Sequence, residues 1–286
     1  MKYAFFGTPE FAAIILEKLI GAGFPPAVVV CNPDRPVGRK RVVTPTPVKQ
    51  SILEQGEDTR EQITLLQPEH PLEIRAALEN AACDFFVVAA YARILSPEIL
   101  SIPRLGTVGV HPSLLPRLRG STPIQTAILE GDAEVGTSLF MLDERIDHGS
   151  ILAQAALPDY APDSMGYDTL MRELAALSAE LLIETIPRFA DGAIAPRPQD
   201  ETLATFTKKF ATTDGLVDLE KDDPKLIARK VLALNPEPGV YAIIKDGKPF
   251  DKVQGRRMKI LDAEIRDGAL RLRTVQYEGK KPQTLF

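Results

Sequence analysis

Residues 106–120 read Gly106-Thr-Val-Gly-Val-His-Pro-Ser-Leu-Leu-Pro-Arg-Leu-Arg-Gly120, and they give the first indication of the fold. A short apolar run ends on His111, and a proline follows at once. Continuously apolar runs of this length are typical of strands that a parallel sheet buries on both faces. Such sheets carry their sites at the carboxyl ends of strands. We therefore predict that His111 ends a buried strand beside a site, where a neutral imidazole can accept a proton.

Other apolar runs alternate with helical patterns on both sides of this stretch. The further strand candidates are Tyr3–Phe6, Ala27–Cys31, Phe85–Ala90, Thr137–Leu142 and Ile151–Leu157. The helical patterns are Glu10–Ile20, Val48–Glu54 and Ser164–Ile186. Strands that alternate with helices are typical of α/β proteins. We predict a Rossmann-like, mostly parallel sheet in a catalytic domain of residues 1–189.

The composition changes near residue 192, where Ala-Pro-Arg-Pro-Gln is typical of a segment that leaves a domain. We therefore predict a linker at 190–207 and a small C-terminal domain at 208–286. Its strand candidates are Val240–Ile244, Arg257–Ile265 and Ala269–Tyr277, with turns at Asp246-Gly247 and Asp267-Gly268. This pattern predicts a β-rich, barrel-like domain of shortened length.

Charge is distributed unevenly along the 286 residues. The net charge is −5, yet residues 201–286 carry 17 Lys and Arg against 13 Asp and Glu, whereas residues 1–200 carry 17 against 26. An acidic body with a basic tail fits a catalytic domain joined to one that meets a polyanion. Chance variation in surface charge explains the same balance. Only two cysteines and no membrane-length apolar run are present, so we expect a soluble cytoplasmic protein.

Two loops carry the charged residues that a site beside His111 requires. The first, Met141–Ser150, offers carboxylates, and Asp147 is the candidate partner of the histidine. The second, Asn32–Pro45, is rich in proline and glycine and carries Arg35, Arg39, Lys40 and Arg41. Such a basic loop can contact phosphates, although it can equally be a solvated surface loop.

Several other classes of enzyme are excluded by the motifs that they require. The sequence contains no G-x-S-x-G nucleophile elbow, no Walker A motif and no C-x-x-C. It has three histidines and no H-E-x-x-H, so we expect no metal site.

Four motifs together resemble the formyltransferase family that uses 10-formyltetrahydrofolate. They are Phe6-Gly-Thr-Pro-Glu-Phe11, Tyr91-Ala-Arg-Ile-Leu-Ser-Pro97, His111-Pro-Ser-Leu-Leu-Pro116 and Asp143–Gly149. The resemblance implies acyl transfer in which His111 and Asp147 handle the proton. It also implies folate contacts at Tyr91, Arg93, Ile94, Leu95, Ser113, Leu114, Leu115, Pro116 and Asp143.

Further segments are similar to the family members that act on methionyl initiator tRNA. The basic loop resembles their insertion for the acceptor stem, and Leu234–Tyr241 and Gly279–Pro282 resemble their C-terminal domain. The resemblance implies formyl transfer to the α-amino group of methionyl initiator tRNA, with Arg35, Arg39, Lys40 and Arg41 contacting the tRNA. We expect a monomer that needs no metal. A formyltransferase for a nucleotide-linked amino sugar is the alternative.

One position in the signature departs from the family pattern. The family places an asparagine two residues before the histidine, where its amide steadies the oxyanion, and this sequence has Gly109. Losing one such donor costs about 10²–10³ in rate in other acyl-transfer enzymes. Either Thr107 or a water replaces the amide, or the protein is a catalytically impaired folate- or tRNA-binding homologue.

Overall fold

A computed structural model describes residues 1–38, 40–244 and 256–285. These residues form two compact units. The first unit comprises Met1–Arg119, Val135–Leu157 and Met171–Phe206. The second comprises Gly120–Glu134, Pro158–Leu170 and the described residues from Thr207 onward. Two segments that precede residue 189 thus group with the C-terminal residues, and the predicted boundaries at 189 and 208 stay predictions.

A central sheet forms the core of the first unit. Its described strands, in spatial order, are β5 (Thr64–Leu66), β2 (Val28–Val30), β1 (Tyr3–Gly7), β6 (Phe85–Ala89), β7 (Thr107–His111), β8 (Gly136–Met141) and β9 (Ile151–Ala156). The first five strands pair in parallel, whereas β8 and β9 are antiparallel to their neighbours. The prediction of a mostly parallel, Rossmann-like sheet is confirmed.

The strand order of this sheet reverses between β1 and β6. From β1 the chain proceeds outward through β2 to β5, and from β6 it proceeds the other way to β7. A crevice opens outside the carboxyl ends of the strands at such a reversal, and ligands bind there. Gly7 ends β1 at this crevice. A Cβ atom at Gly7 would lie 2.5 Å from the Cβ of Ala12, so only glycine allows the following helix to pack this closely.

The described residues also include helices and a separate two-stranded hairpin. The helices are α1 (Glu10–Gly21), α2 (Pro47–Leu53), α3 (Glu57–Gln62), α4 (Arg75–Ala81), α5 (Pro97–Leu100), α6 (Pro123–Glu130), α7 (Tyr167–Ala190) and α8 (Pro224–Leu234). The basic loop forms a hairpin of β3 (Arg35–Val37) and β4 (Val42–Thr44). None of the helices in the described ranges is both long enough and apolar enough to cross a bilayer.

The second unit is built on a strand-rich sheet. Its described strands, in spatial order, are β10 (Leu216–Val217), β11 (Val240–Ile244), β12 (Arg256–Arg266), β13 (Ala269–Tyr277) and β14 (Gln283–Thr284). This sheet confirms the predicted β-rich C-terminal region. Asp267 and Gly268 both have positive φ, as a two-residue type I′ hairpin turn requires. The predicted turn at Asp246-Gly247 lies outside the described residues.

Helix α8 covers this second sheet. Its buried face includes Ile227, Val231 and Leu234, and the helix packs against β11, β12 and β13. Helix α6 packs against α8, which explains why the segment around it groups with the C-terminal residues. Apolar residues three and four apart on α8 form the stripe that a helix needs to cover a sheet.

Candidate active site

His111 and Asp147 meet at the carboxyl end of β7. His111 is the last residue of that strand and is only 5% exposed. Its Nδ1 atom lies 3.6 Å from Oδ2 of Asp147. A carboxylate at this distance stabilises the ring when the ring carries a second proton. The two residues predicted to handle the proton are therefore adjacent.

The other ring nitrogen of His111 is fixed by the backbone. Nε2 lies 2.9 Å from the carbonyl oxygen of Leu118. A carbonyl oxygen can only accept, so Nε2 carries the hydrogen and donates it. In the neutral ring Nδ1 then holds the lone pair, on the side of Asp147. Nδ1 is therefore the atom that can take a proton from a substrate.

Polar side chains from the antiparallel strands hold the loop that follows His111. The Oγ of Ser138 donates to the carbonyl oxygen of Ser113 at 2.6 Å and accepts from the backbone N–H of Leu115 at 3.0 Å. The amide of Gln154 donates to the carbonyl oxygen of Leu115 at 2.8 Å and to the same Ser138 Oγ at 2.9 Å. Sequence reasoning missed Ser138 and Gln154. Their alternation along paired strands beside the His111 strand is the signal that could have indicated them.

The loop that carries Asp147 is organised by its own polar residues. Asp143 accepts from the backbone N–H of Arg145 at 2.9 Å and from Nδ1 of His148 at 2.6 Å. Asp147 itself has a φ of 47°, in the left-handed region that residues with a Cβ atom rarely adopt. Residues held in such conformations cluster at functional sites. The predicted folate contact of Asp143 stays a prediction, because its carboxylate is bonded within this loop.

Gly109 lies two residues before His111 on the same face of β7. A Cβ atom at Gly109 would overlap with Cδ1 of Leu142 and would lie 2.5 Å from Cε1 of Phe140. Apolar side chains therefore fill the space into which the family's asparagine would extend. Position 109 supplies no side-chain donor to an oxyanion.

Thr107 is a poor replacement for that donor. Its Oγ1 is buried and, among the described residues, has no hydrogen-bond partner. However, Thr107 begins β7 and His111 ends it. Strands rise about 3.3 Å per residue, so four residues separate the two positions by about 13 Å. A carbonyl held at His111 is too far from Thr107 to receive its hydrogen bond.

The predicted folate segment follows β6 at the crevice, and its side chains point in different directions. Tyr91 and Leu95 are buried in the core, where Tyr91 packs edge-on against Phe6. Arg93 donates from Nε to Oδ1 of Asn32 at 2.9 Å. Ile94 is 93% exposed. The side chains of Tyr91 and Leu95 thus anchor the segment, and any contact they make with folate would have to come from their backbone.

The described residues of the basic hairpin include three of the four predicted tRNA-binding residues. Lys40 and Arg41 are exposed near its tip, and Arg39 lies outside the described residues. Arg35 is bonded instead to Glu69, with its Nη2 2.5 Å from Oε2. Arg93 also contacts that carboxylate, at 3.3 Å. Glu69 therefore links the base of the hairpin to the predicted folate segment.

The base of the hairpin is held by a second polar cluster. Lys49 places its Nζ 2.6 Å from Oδ2 of Asp34 and 2.9 Å from Oε1 of Gln67. The amide of Gln67 also donates to Oδ1 of Asp34 at 2.8 Å. The hydrogen bond from Gln67, followed by that from Lys49, lowers the pKa of the Asp34 carboxyl. A charged Asp34 thus fixes the segment between β2 and β3, which leads into the hairpin.

The Rossmann-like sheet thus carries a buried histidine and a carboxylate at its carboxyl edge, and such a pair can transfer protons during group transfer. A sequence model of the family described as Formyl transferase matches residues 1–186. The chain therefore belongs to the formyl transferase family. Among curated relatives, the Methionyl-tRNA formyltransferase of Roseiflexus castenholzii is 38% identical over 302 residues, which cover 99% of this chain and 93% of the relative.

Solved structures show the same fold at low sequence identity. The Methionyl-tRNA formyltransferase from Clostridium thermocellum aligns with a TM-score of 0.60 and 17% identity, over 97% of this chain and 98% of that chain. HypX from Aquifex aeolicus, in complex with tetrahydrofolic acid, aligns with a TM-score of 0.65 and 19% identity. That alignment covers 100% of this chain and 46% of HypX, so this chain spans less than half of its length. Both likenesses concern the fold.

Proposed function

We propose that this protein transfers the formyl group of 10-formyltetrahydrofolate to the α-amino group of methionyl initiator tRNA. The proposal rests first on the 3.6 Å approach of His111 to Asp147 at the crevice of the sheet. Family membership supports the formyl chemistry, and likeness along nearly the whole chain to methionyl-tRNA formyltransferases supports the amine. The protein would act as a cytoplasmic monomer without a metal.

The chemistry is an acyl exchange between two nitrogens. The uncharged amine attacks the formyl carbon and forms the new C–N bond. Nδ1 of His111 accepts the proton that the amine loses, and Asp147 stabilises the imidazolium that results. The bond from the formyl carbon to N10 of the folate then breaks, and the same proton passes to N10. Atoms and charges balance without a further reactant.

The geometry also indicates what can stabilise the oxyanion. Position 109 has no side chain, and Nε2–H of His111 is committed to Leu118. When the ring is protonated, Nδ1–H is therefore the donor of this ring that can face the formyl oxygen. A water is the second candidate donor, since Thr107 is too far along the strand. Charge-assisted donors of this type are stronger than neutral ones.

The folate would lie in the crevice between the ends of β1 and β6. The segment Tyr91–Leu95 follows β6 and is anchored by two buried side chains, while Ser138 and Gln154 hold the loop Ser113–Pro116. Two anchored loops are suited to recognise a flat heterocycle through backbone groups, because their positions are set before binding. We propose contacts at Arg93, Ile94, Leu114 and Pro116 in the same regions.

The acceptor end of the tRNA would contact the basic hairpin. Lys40 and Arg41 are exposed there, and we propose that Arg35 and Arg39 join them. Neutralising phosphates releases counterions, so such binding should weaken steeply as salt rises. The charge balance of residues 201–286 favours a supporting role for the C-terminal region.

The proposal is tested by offering the protein two candidate amine substrates with the same formyl donor. The purified protein is incubated with 10-formyltetrahydrofolate and either methionyl initiator tRNA or a nucleotide-linked amino sugar. Formyl-methionine formed above a no-enzyme control supports the proposal. Formylation of the amino sugar alone would contradict it and assign the sugar as substrate. Binding of folate and tRNA without transfer to either amine would contradict it and indicate an impaired homologue.

A further inference from the structure

A buried arginine lies beneath the loop that carries Asp147. Arg119 is 2% exposed and is among the largest fully buried side chains of the described residues. Its guanidinium bonds both carboxylate oxygens of Glu201, at 2.7 and 3.1 Å, and the side-chain oxygen of Gln199. Burial of an arginine is costly unless its hydrogen bonds are satisfied. The proposed reaction gives Arg119 and these two partners no role.

Arg119 fixes which end of the Gln199 amide points toward the loop. The Oε1 atom of Gln199 accepts from Nε of Arg119 at 3.1 Å and from Nη2 at 2.7 Å. Arginine has no acceptor, so the amide oxygen must face it. The amide NH₂ therefore points the other way. It donates to the backbone carbonyls of Asp147 at 2.9 Å and of Gly149 at 2.8 Å.

These two carbonyls belong to the part of the loop that has an uncommon backbone conformation and close packing. Asp147 has a φ of 47°, and residues with a Cβ atom occupy this conformation only when their surroundings enforce it. Gly149 is also closely packed, because a Cβ atom there would lie less than 2.5 Å from the carbonyl oxygen of Met141. The Gln199 amide thus bridges the backbone on both sides of His148.

Hydrogen bonds hold the segment that carries Gln199 in place within the first unit. Arg197 and Ile151 exchange two backbone hydrogen bonds, of 2.7 and 2.8 Å. Thr205 accepts at Oγ1 from the backbone N–H of Leu118, at 2.8 Å, and Leu118 is also the residue whose carbonyl holds the His111 ring. Residues 197–205, inside the predicted linker, therefore contact both loops of the reactive pair.

We propose that Gln199 is a positioning residue for formyl transfer, which holds Asp147 at its distance from His111 through the loop backbone. Arg119 and Glu201 orient its amide. This inference rests on the proposed function, since it concerns the rate of that reaction. The acting group is the amide NH₂, because the amide oxygen serves only Arg119.

The substitution Gln199→Glu removes the donor end of the side chain and keeps the acceptor end. Glutamate has nearly the same shape and still accepts from Arg119, but it has no NH₂ and places negative charge against two carbonyls. We expect kcat to fall by about 10², as misplacement of a catalytic group by about 1 Å does. The KM for methionyl-tRNA and the affinity for the folate should stay unchanged. The melting temperature should fall only modestly, because two carbonyls lose their donor, and the variant should stay folded at the assay temperature.

Gln55→Glu is the matched control. The amide of Gln55 also donates to a backbone carbonyl, that of Ser51 at 3.0 Å, in a part of the first unit remote in sequence from the two loops. The same chemical change there should leave kcat unchanged. Equal losses in the two variants would overturn the proposal, because they would indicate a general effect of added charge.

A double-mutant cycle with Asp147→Asn tests whether Gln199 acts through Asp147. Residues that act as a unit give non-additive losses. We expect Gln199→Glu to add little once Asp147 is changed. Losses that multiply, or a Gln199→Glu variant with unchanged kcat, would overturn the proposal. Single-turnover assays with excess enzyme keep the residual rates measurable.

The same experiment distinguishes this inference from the proposed function. If the wild-type protein forms no formyl-methionine, the proposed function fails and the inference falls with it. If the wild type is active and Gln199→Glu matches it, only the inference fails. A loss that appears in KM or in the melting temperature rather than in kcat would also overturn it, by assigning Gln199 a merely structural role.

Discussion

Nδ1 of His111 lies 3.6 Å from Oδ2 of Asp147, and this approach joins the end of a buried parallel strand to a loop between two antiparallel strands. The backbone at Asp147 adopts a left-handed conformation at this point. The carboxylate therefore lies where it can stabilise a protonated His111. We propose that formyl transfer depends on this pair.

Replacing the carboxylate with an amide tests its charge without changing its shape. Asp147→Asn should lower kcat by about 10²–10⁴, the usual contribution of general acid–base catalysis. Asparagine tolerates positive φ, so the fold of the loop should survive. Steady-state kinetics with methionyl-tRNA gives the measurement. Asp159→Asn is the control, since Asp159 is exposed and also has positive φ. Equal activity in both variants would contradict the role of Asp147.

Restoring the family's asparagine at position 109 should impair the protein. Phe140 and Leu142 occupy the space that the side chain needs. Forcing extra atoms into a packed region costs about 1–3 kcal/mol of unfolding free energy. We expect Gly109→Asn to melt at lower temperature and to gain no rate, and an added Leu142→Ala to recover part of the loss. A large gain in rate at unchanged stability would mean that the site has decayed around an otherwise suitable pocket.

Removing two exposed charges from the hairpin tests the tRNA contact. Lys40→Ala with Arg41→Ala should weaken tRNA binding and reduce the slope of log K against log salt by about 0.7–0.9 per lost phosphate contact. Filter binding across a salt series measures both effects. The control removes the same charge at Lys18 and Arg60, which are also exposed. Equal slopes for the two double variants would refute the hairpin contact. Equal slopes are also the result expected if the substrate is an amino sugar.

The cluster at Asp34 predicts a pH dependence. Hydrogen bonds from Gln67 and Lys49 lower the pKa of this carboxyl in the folded protein. A lowered folded pKa contributes stability that is present above the unfolded value, about 3.9, and is lost as pH falls through the folded value. The wild type should therefore exceed Asp34→Asn in unfolding free energy at pH 7, and the gap should close in acid. Denaturant titrations across pH measure the gap, and a gap that is constant with pH would exclude this cause.

The sequence predicts the centre of the fold well because the information there is local. The runs at Tyr3, Phe85 and Thr107 are continuously apolar, as strands buried on both faces must be. His111 ends such a run. In contrast, β5 is short and partly exposed, so its residues carry no comparable pattern. The β3–β4 hairpin carries no such pattern either. All the residues of its two strands are exposed, so buried and exposed positions do not alternate along them.

Other features of the site depend on contacts between distant parts of the chain. Nothing near Arg119 indicates that Gln199 and Glu201 will satisfy it. Likewise, the Tyr91 side chain turns toward the core because Phe6 packs against it, which the motif around Tyr91 does not reveal. Composition predicts a linker at 190–207, but composition does not show that residues 197–205 bond to the loops that carry His111 and Asp147.

The transfer rate of His111→Ala tests the proposed function at the residue on which it most depends. The variant and the wild type are each incubated with 10-formyltetrahydrofolate and methionyl initiator tRNA, and formyl-methionine is measured beside folate binding. His70→Ala serves as control, because His70 is exposed and lies outside the reactive pair. We predict transfer by the wild type and the control, and none by His111→Ala, with folate binding retained. Transfer by His111→Ala at the wild-type rate would contradict this prediction.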